Sequence, residues 1–205
     1  QAEGPAEAAP GRGGAGPELP AGWPPLGPEE QDHGSAQVAS RVVAQLEAAG
    51  VEFQHLGPHE VCRTSEDAVR VRRANGWADP DTTLHSGAKA MLLVSKGQGA
   101  ALVVMPADGR LSWKRAKAVL PGTKKAEWRL ASEEEVLSLT GGCVPGSVPP
   151  CGRAFAGGGV ATYADRGLLD LEFINFNCGL RTRSIRVSLE GYVKAEQPTF
   201  ADFVE

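Results

Sequence analysis

Apolar and polar positions divide the chain into short alternating elements. Val38, Val42, Val43 and Leu46 recur at helical spacing behind Ser35, a good N-cap, and ahead of Gly50, which predicts a helix over 35–49. Val51 to Leu56 alternates as a strand does, and Gly57-Pro58-His59 turns it. Thr64-Ser65-Glu66-Asp67 is an N-cap followed by acids at the positive end of a helix that runs to Ala74 and stops at Asn75-Gly76. Past a turn at Asp79-Pro80-Asp81, two apolar runs, Ala90–Val94 and Ala100–Met105, flank Gly97-Gln98-Gly99 and predict a buried hairpin. The rest of the chain packs around that hairpin. Pro106-Ala107-Asp108-Gly109 closes it.

Further on, Ser112 caps a helix over 113–120 that Pro121-Gly122 ends, and Ser132 with Glu135 forms a capping box for a helix to about Leu139. Cys143 to Gly152 carries three prolines and is too irregular for a helix or strand, and a glycine turn follows at 155–159. Strands are predicted over 160–163, 171–177 and 184–189, with a short helix over 191–194 ahead of Pro198. This irregular order of strands and helices implies an α/β domain with a mixed sheet, not a doubly wound parallel one.

Composition changes the picture at one end. Gln1 to Gly34 is rich in proline and glycine and carries six acids against Arg12 alone, so it reads as a disordered acidic tail or linker, with Trp23 and Leu26 as its anchors. The domain is placed at 35–205. The formal net charge of −4 is the sum of −5 in the tail and +1 in the rest, where 20 basic and 19 acidic residues nearly cancel. Any polyanion site must therefore be a local patch. No apolar run approaches the ~20 residues of a membrane span, and the expected setting is the cytoplasm. The chain opens on Gln1, as a fragment or processed form would, so an upstream domain or organellar targeting peptide stays open.

Candidate chemistry is sparse. Lys89 opens the first hairpin strand, where it must either snorkel to the rim or hold its ammonium in a polar cavity. Arg70, Arg72 and Arg73 spread around their helix and read as a solvated face. The densest basic region runs from Arg110 to Arg129, with Lys114, Arg115, Lys117, Lys124 and Lys125 between and Trp113 and Trp128 interleaved. That fits contact with a nucleic-acid backbone and fits a solvated surface equally well. Glycine at the apex of the proline-stiffened loop, Gly146, can hold backbone amides in fixed directions, as an oxyanion site needs, though a rigid connector would look the same. Cys62, Cys143, Cys151 and Cys178 form no Cys-x-x-Cys pair and the histidines no His-Glu-x-x-His helix, so no metal or other cofactor is expected and the thiols are expected reduced. A Cys143–Cys151 pair is the less favoured alternative.

Set in order, Gly87-Ala88-Lys89-Ala90, Val104-Met105-Pro106-Ala107-Asp108, Ala131-Ser132-Glu133-Glu134-Glu135-Val136 and the Gly142, Gly146, Pro150-Cys151-Gly152 run resemble the YbaK/ProX superfamily of aminoacyl-tRNA editing deacylases, which also occur inside bacterial prolyl-tRNA synthetases. The resemblance spans about Val51 to Phe200. Asn177-Cys178-Gly179-Leu180-Arg181-Thr182-Arg183-Ser184-Ile185, with Tyr192 and Pro198, is similar to the YeaK-type branch. Pro145, Ser147 and the acidic tail depart from the common pattern.

The resemblance implies one domain with a mixed, partly barrel-like sheet flanked by helices, and a crevice between Lys89 and the 146–150 loop. It implies hydrolysis of the ester joining a mischarged amino acid, of the Ser, Thr or Ala class, to the acceptor end of tRNA, with a synthetase as partner in cis or trans and no membrane. Lys89 and Gly146 would be the catalytic pair. Ser147, Val148, Pro150, Asn177, Gly179, Ser184 and His85 would bind substrate, and Lys114, Lys117, Lys124, Lys125 and Arg129 the tRNA. An activated ester can be hydrolysed by positioned water and a stabilised oxyanion, with no triad or metal. The competing expectation is a module of the same fold that binds tRNA without catalysis.

Overall fold

The computed structural model of the chain describes residues 19–77, 81–122 and 127–205. Part of the Asp79–Asp81 turn, together with Lys124 and Lys125, lies outside them. At the centre, β2 (Ala88–Ser95) and β3 (Gly99–Pro106) pair antiparallel, with Ala90 opposite Val104 and Leu92 opposite Leu102. Strand alternation then places Leu92, Leu102 and Val104 on one face and Leu93, Ala101, Val103 and Met105 on the other, all buried. A hairpin that is apolar on both faces has to be covered on both.

The first face meets helix α1 (Ala36–Ala48), helix α5 (Leu189–Glu196) and a three-stranded antiparallel sheet of β1 (Phe53–Leu56), β7 (Ser184–Ser188) and β6 (Phe173–Asn177). Val38, Val42, Leu46, Ile174, Phe176, Ile185 and Tyr192 fill this larger core. The second face is covered by helix α3 (Trp113–Val119) through Ala116, and by Leu111, Trp128 and Phe203.

Around the hairpin the second sheet runs in the order β4 (Trp128–Leu130), β2, β3, β5 (Ala161–Asp165), β8 (Thr199–Ala201), with the last two pairings parallel. The mixed α/β architecture expected from the sequence is present, as two sheets of three and five strands, and no barrel closes among the described residues. A single bridge between Gly87 and Asn175 joins the two sheets at the start of β2. Helices α2 (Ser65–Ala74) and α4 (Glu133–Thr140) complete the fold. β4 and β8, three residues each, had no pattern of their own: one lies in a basic stretch and the other follows Pro198.

The segment from Leu19 to Gly34, expected as part of a tail, lies instead on the domain. Trp23 stacks on His55 with ring centroids 3.4 Å apart, and Pro28–His33 winds into a 3-10 turn that buries Glu30. Glu30 receives Arg183 Nε and Nη2 at 2.9 and 2.8 Å and the Thr182 hydroxyl at 2.6 Å, while Arg183 also donates to the carbonyls of Pro24 and Pro25. A buried guanidinium left without a counter-charge is costly. Here the expected linker supplies the neutralising carboxylate. The four cysteines are buried and unpaired.

Candidate active site

Four pieces of chain meet at the N-terminal end of β2. They are β2 itself, the first two turns of α2, the loop apex at 146–148 and the end of β6, and they enclose a pocket of about 310 Å3. Its walls include Cys62, Ala68, Val69, Ala90, Met91, Ala107 and Val148 on the apolar side. On the polar side are Arg63, Arg72, Lys89 and Asn177, and neither Asp, Glu nor His lines it. The pocket thus carries three formal positive charges against none negative, and it favours an anionic group by simple electrostatics.

One wall is an interrupted sheet edge. The Asn175 amide donates to Ser86 O at 2.8 Å and the Ala131 amide to Leu92 O at 2.9 Å, so even-numbered residues of β2 direct their backbone polar groups to this side. Between those anchors Ala90 has no neighbouring strand on this side among the described residues. By the same alternation its amide and carbonyl point to this side, and the residue lines the cavity.

Lys89 reaches from the strand toward the chain reversal beyond β3, where its ammonium donates to Gly109 O at 3.3 Å. Opposite stands Gly146, at φ +85°, a conformation that costs a side-chain-bearing residue about 1–2 kcal/mol. The loop is braced from behind. Arg181 Nε donates to Pro145 O at 2.8 Å, the Gly179 amide to Ser147 O at 3.0 Å, the Tyr192 hydroxyl to Pro150 O at 2.9 Å, and Asn177 Nδ2 to Gly146 O at 2.9 Å.

Beneath the loop apex lies a polar chain. Asn177 Oδ1 accepts from Arg72 Nη2 at 3.0 Å, Arg72 Nε donates to the Ser184 hydroxyl at 3.0 Å, and the same hydroxyl lies 3.0 Å from His59 Nε2. Arg72 is 3 % exposed and pairs with no carboxylate among the described residues. Burial pulls its pKa down to about 10, leaving it charged, and burial also pushes His59 below its ordinary value. Cys62, beside His59, is pushed up by burial to about 11 and is a thiol rather than a nucleophilic thiolate.

Of the residues expected from the sequence, Lys89, Gly146, Val148 and Asn177 line this one pocket. Ser184 sits behind it, joined through Arg72 and Asn177. Four others do not line it. Ser147 is fully buried and closes its own turn, its hydroxyl 3.0 Å from both the amide and the carbonyl of Val144. Pro150 is buried under Tyr192, and Gly179 is packed against α1, where a Cβ would come within 2.9 Å of the Ala39 amide. His85 stands outside with Asp108 at 3.1 Å.

The basic patch is likewise apart. Lys114 and Lys117 are exposed on α3, over the opposite face of the sheet from the main core, while Arg129 is held by both oxygens of Glu135 at 2.7 Å. Lys124 and Lys125 fall outside the described residues.

Arg72, Arg63 and His59 are the site residues that the sequence reading missed. For Arg72 a signal existed. It lies four residues after Ala68 and one after Val71, on the buried stripe of α2 rather than on a solvated face. No group of three or more His, Cys, Asp or Glu that could hold a metal occurs among the described residues.

A mixed α/β fold with a cationic, acid-free pocket between a strand-opening lysine and a glycine-apex loop defines a binding site for an anionic or strongly polarised group. Residues 59–195 match the aminoacyl-tRNA editing domain family, and the chain belongs to that family. No curated protein matched the sequence. Among solved structures, one provisionally described as a trans-editing enzyme for prolyl-tRNA synthetase is 24% identical, with a TM-score of 0.63 over 82% of this chain and 97% of that one. The hypothetical protein APE2540 is 25% identical, with a TM-score of 0.66 over 80% of this chain and 99% of that one. These two are similar in fold.

Proposed function

We propose that the protein is an aminoacyl-tRNA deacylase that clears a small amino acid of the Ser, Thr or Ala class from mischarged tRNA. The observation that carries the reading is the meeting of Lys89 and the Gly146–Val148 backbone, 57 residues apart at the nearer ends, across one pocket. At about 310 Å3 the cavity lies at the small end of the range for ligand sites, which suits a small aminoacyl ester. Lys89 holds an oxygen of the acceptor-end substrate by charge. The rigid apex at Gly146 and the free backbone groups of Ala90 orient the ester and the attacking water. No carboxylate or imidazole lines the pocket, so the neighbouring ribose hydroxyl assists the proton transfer. A synthetase acting in cis or in trans supplies the mischarged product that this site discriminates by size.

The acid-free lining also favours a second reading, a module that binds tRNA without turnover. A panel of mischarged tRNAs separates the two. The deacylase reading expects release of a small amino acid from at least one tRNA and loss of that release in a folded Lys89→Ala variant. Binding without turnover across the whole panel supports the module, and full activity of Lys89→Ala removes the role given to the lysine.

A further inference from the structure

Arg72 is the least explained charge in the molecule. Its Nε and Nη2 are engaged by Ser184 and Asn177, neutral partners both, while Nη1 makes no protein hydrogen bond among the described residues. The side chain is buried yet lines the pocket. Stability alone does not account for it, because an unpaired buried guanidinium is destabilising and an apolar residue on this stripe of α2 would pack at lower cost. Arg183 shows how this fold treats a buried guanidinium with a structural role: a buried carboxylate, Glu30, is brought to it across 153 positions. Arg72 receives none. The Ser184 and Asn177 contacts fix the plane of the fork and leave Nη1 unengaged, on a residue that lines the cavity.

We infer that Arg72 is a catalytic residue of the deacylation, its unengaged Nη1 donating to the ester carbonyl oxygen as that oxygen becomes the oxyanion. The inference rests on the deacylase reading above. Water oxygen bonds to the carbonyl carbon, and the π pair moves onto the carbonyl oxygen beside Nη1. The water proton passes by way of the neighbouring ribose hydroxyl. Collapse then restores the C=O, breaks the carbon–oxygen bond to the ribose, and delivers that proton to the departing ribose oxygen. No electron acceptor or metal enters the balance. Asn177 is a positioning residue for two partners at once, because its Oδ1 holds Arg72 and its Nδ2 holds the Gly146 carbonyl.

The test uses Arg72→Gln and Arg72→Lys, checked for folding by circular dichroism, with two minimal substrates: aminoacyl-adenosine, and the same ester carrying a 5′-phosphate. Loss of the donor is expected to lower kcat by about 10²–10³-fold on both substrates alike. A loss confined to the phosphorylated substrate would assign the guanidinium to the phosphate and overturn the inference, as would a folded variant with the wild-type rate. Should neither variant fold, the wild-type protein decides. Calorimetry should show an anionic 3′-phosphonate analogue of the ester binding more tightly than the neutral amide, and equal binding overturns the inference. If the wild type turns over no ester but prefers the phosphonate, and loses that preference in Arg72→Gln, the deacylase reading fails while the anion site stands. Turnover that survives in a folded Arg72→Gln variant has the reverse meaning.

Discussion

Gly146 shows how much a single backbone conformation can determine. At φ +85° with Arg181 Nε 3.5 Å and Arg63 O 3.7 Å from where a Cβ would stand, the position has room for a methyl group but not the conformation for one. Gly146→Ala should therefore cost about 1–2 kcal/mol in urea unfolding from the left-handed backbone alone. Its larger effect should be on turnover, because relaxing φ swings the carbonyl that Asn177 holds. If the variant unfolds earlier but hydrolyses ester at the wild-type rate, the loop apex is structural only. Ser147, one residue on, illustrates the opposite assignment: its hydroxyl is consumed in an internal turn and is not offered to the pocket.

At the level of elements, α2 brings the buried cation to the site, and its start is fixed by a capping box in which the Thr64 hydroxyl accepts from the Asp67 amide and the Asp67 carboxylate from the Thr64 amide. Thr64→Ala should cost about 1 kcal/mol and, for a domain of this size, lower Tm by about 2–4 °C. An unchanged melting curve would show that tertiary packing alone fixes the helix end.

The helices of this fold were legible because caps and spacing are local: Ser35, Thr64 and Ser132 each mark their start within one residue. The central hairpin was legible from its two apolar runs. What the pattern could not show is pairing at a distance. β4 and β8 exist because β2 and β5 offer them an edge, and nothing in three residues announces that. In the site, the lysine and the loop were readable from motif order. Arg72 was readable only in part: its place beside Ala68 and Val71 marks the buried stripe of α2, but its burial depends on β6 and β7 arriving above it.

The molecule as a whole should lose stability in acid in two stages. Burial, with the nearby charges of Arg183 and His59, lowers the His55 pKa from 6.5 to about 4, and His59 shifts the same way. In the unfolded chain His55 takes up its proton near 6.5, whereas the folded protein resists until about 4. The contribution is thus present above 6.5 and is lost as pH falls through that window. Glu30 follows lower down. Burial opposes its charge, but hydrogen bonds from Arg183, Thr182 and the Gly27 amide outweigh that and hold its carboxyl at about 2. Its contribution is present above 4.5 and fades between 4.5 and 2. Urea midpoints taken stepwise from neutral pH downward should show both declines, and His55→Gln should flatten the upper one.

The contact between Glu30 and Arg183 has a practical reach. Arg183 ends the short connection between β6 and β7, and those strands carry Asn177 and Ser184 on either side of it. The connection is tied to the N-terminal segment a second and third time, through Arg181 N to His33 O at 2.9 Å and Ser35 N to Gly179 O at 2.8 Å. A protein trimmed to the matched family span, residues 59–195, or begun at the first helix, would keep every lining residue of the pocket and still be damaged. It would strand a guanidinium in the interior and slacken the hairpin on which the polar floor of the cavity is mounted, so the smallest piece worth purifying starts before Trp23.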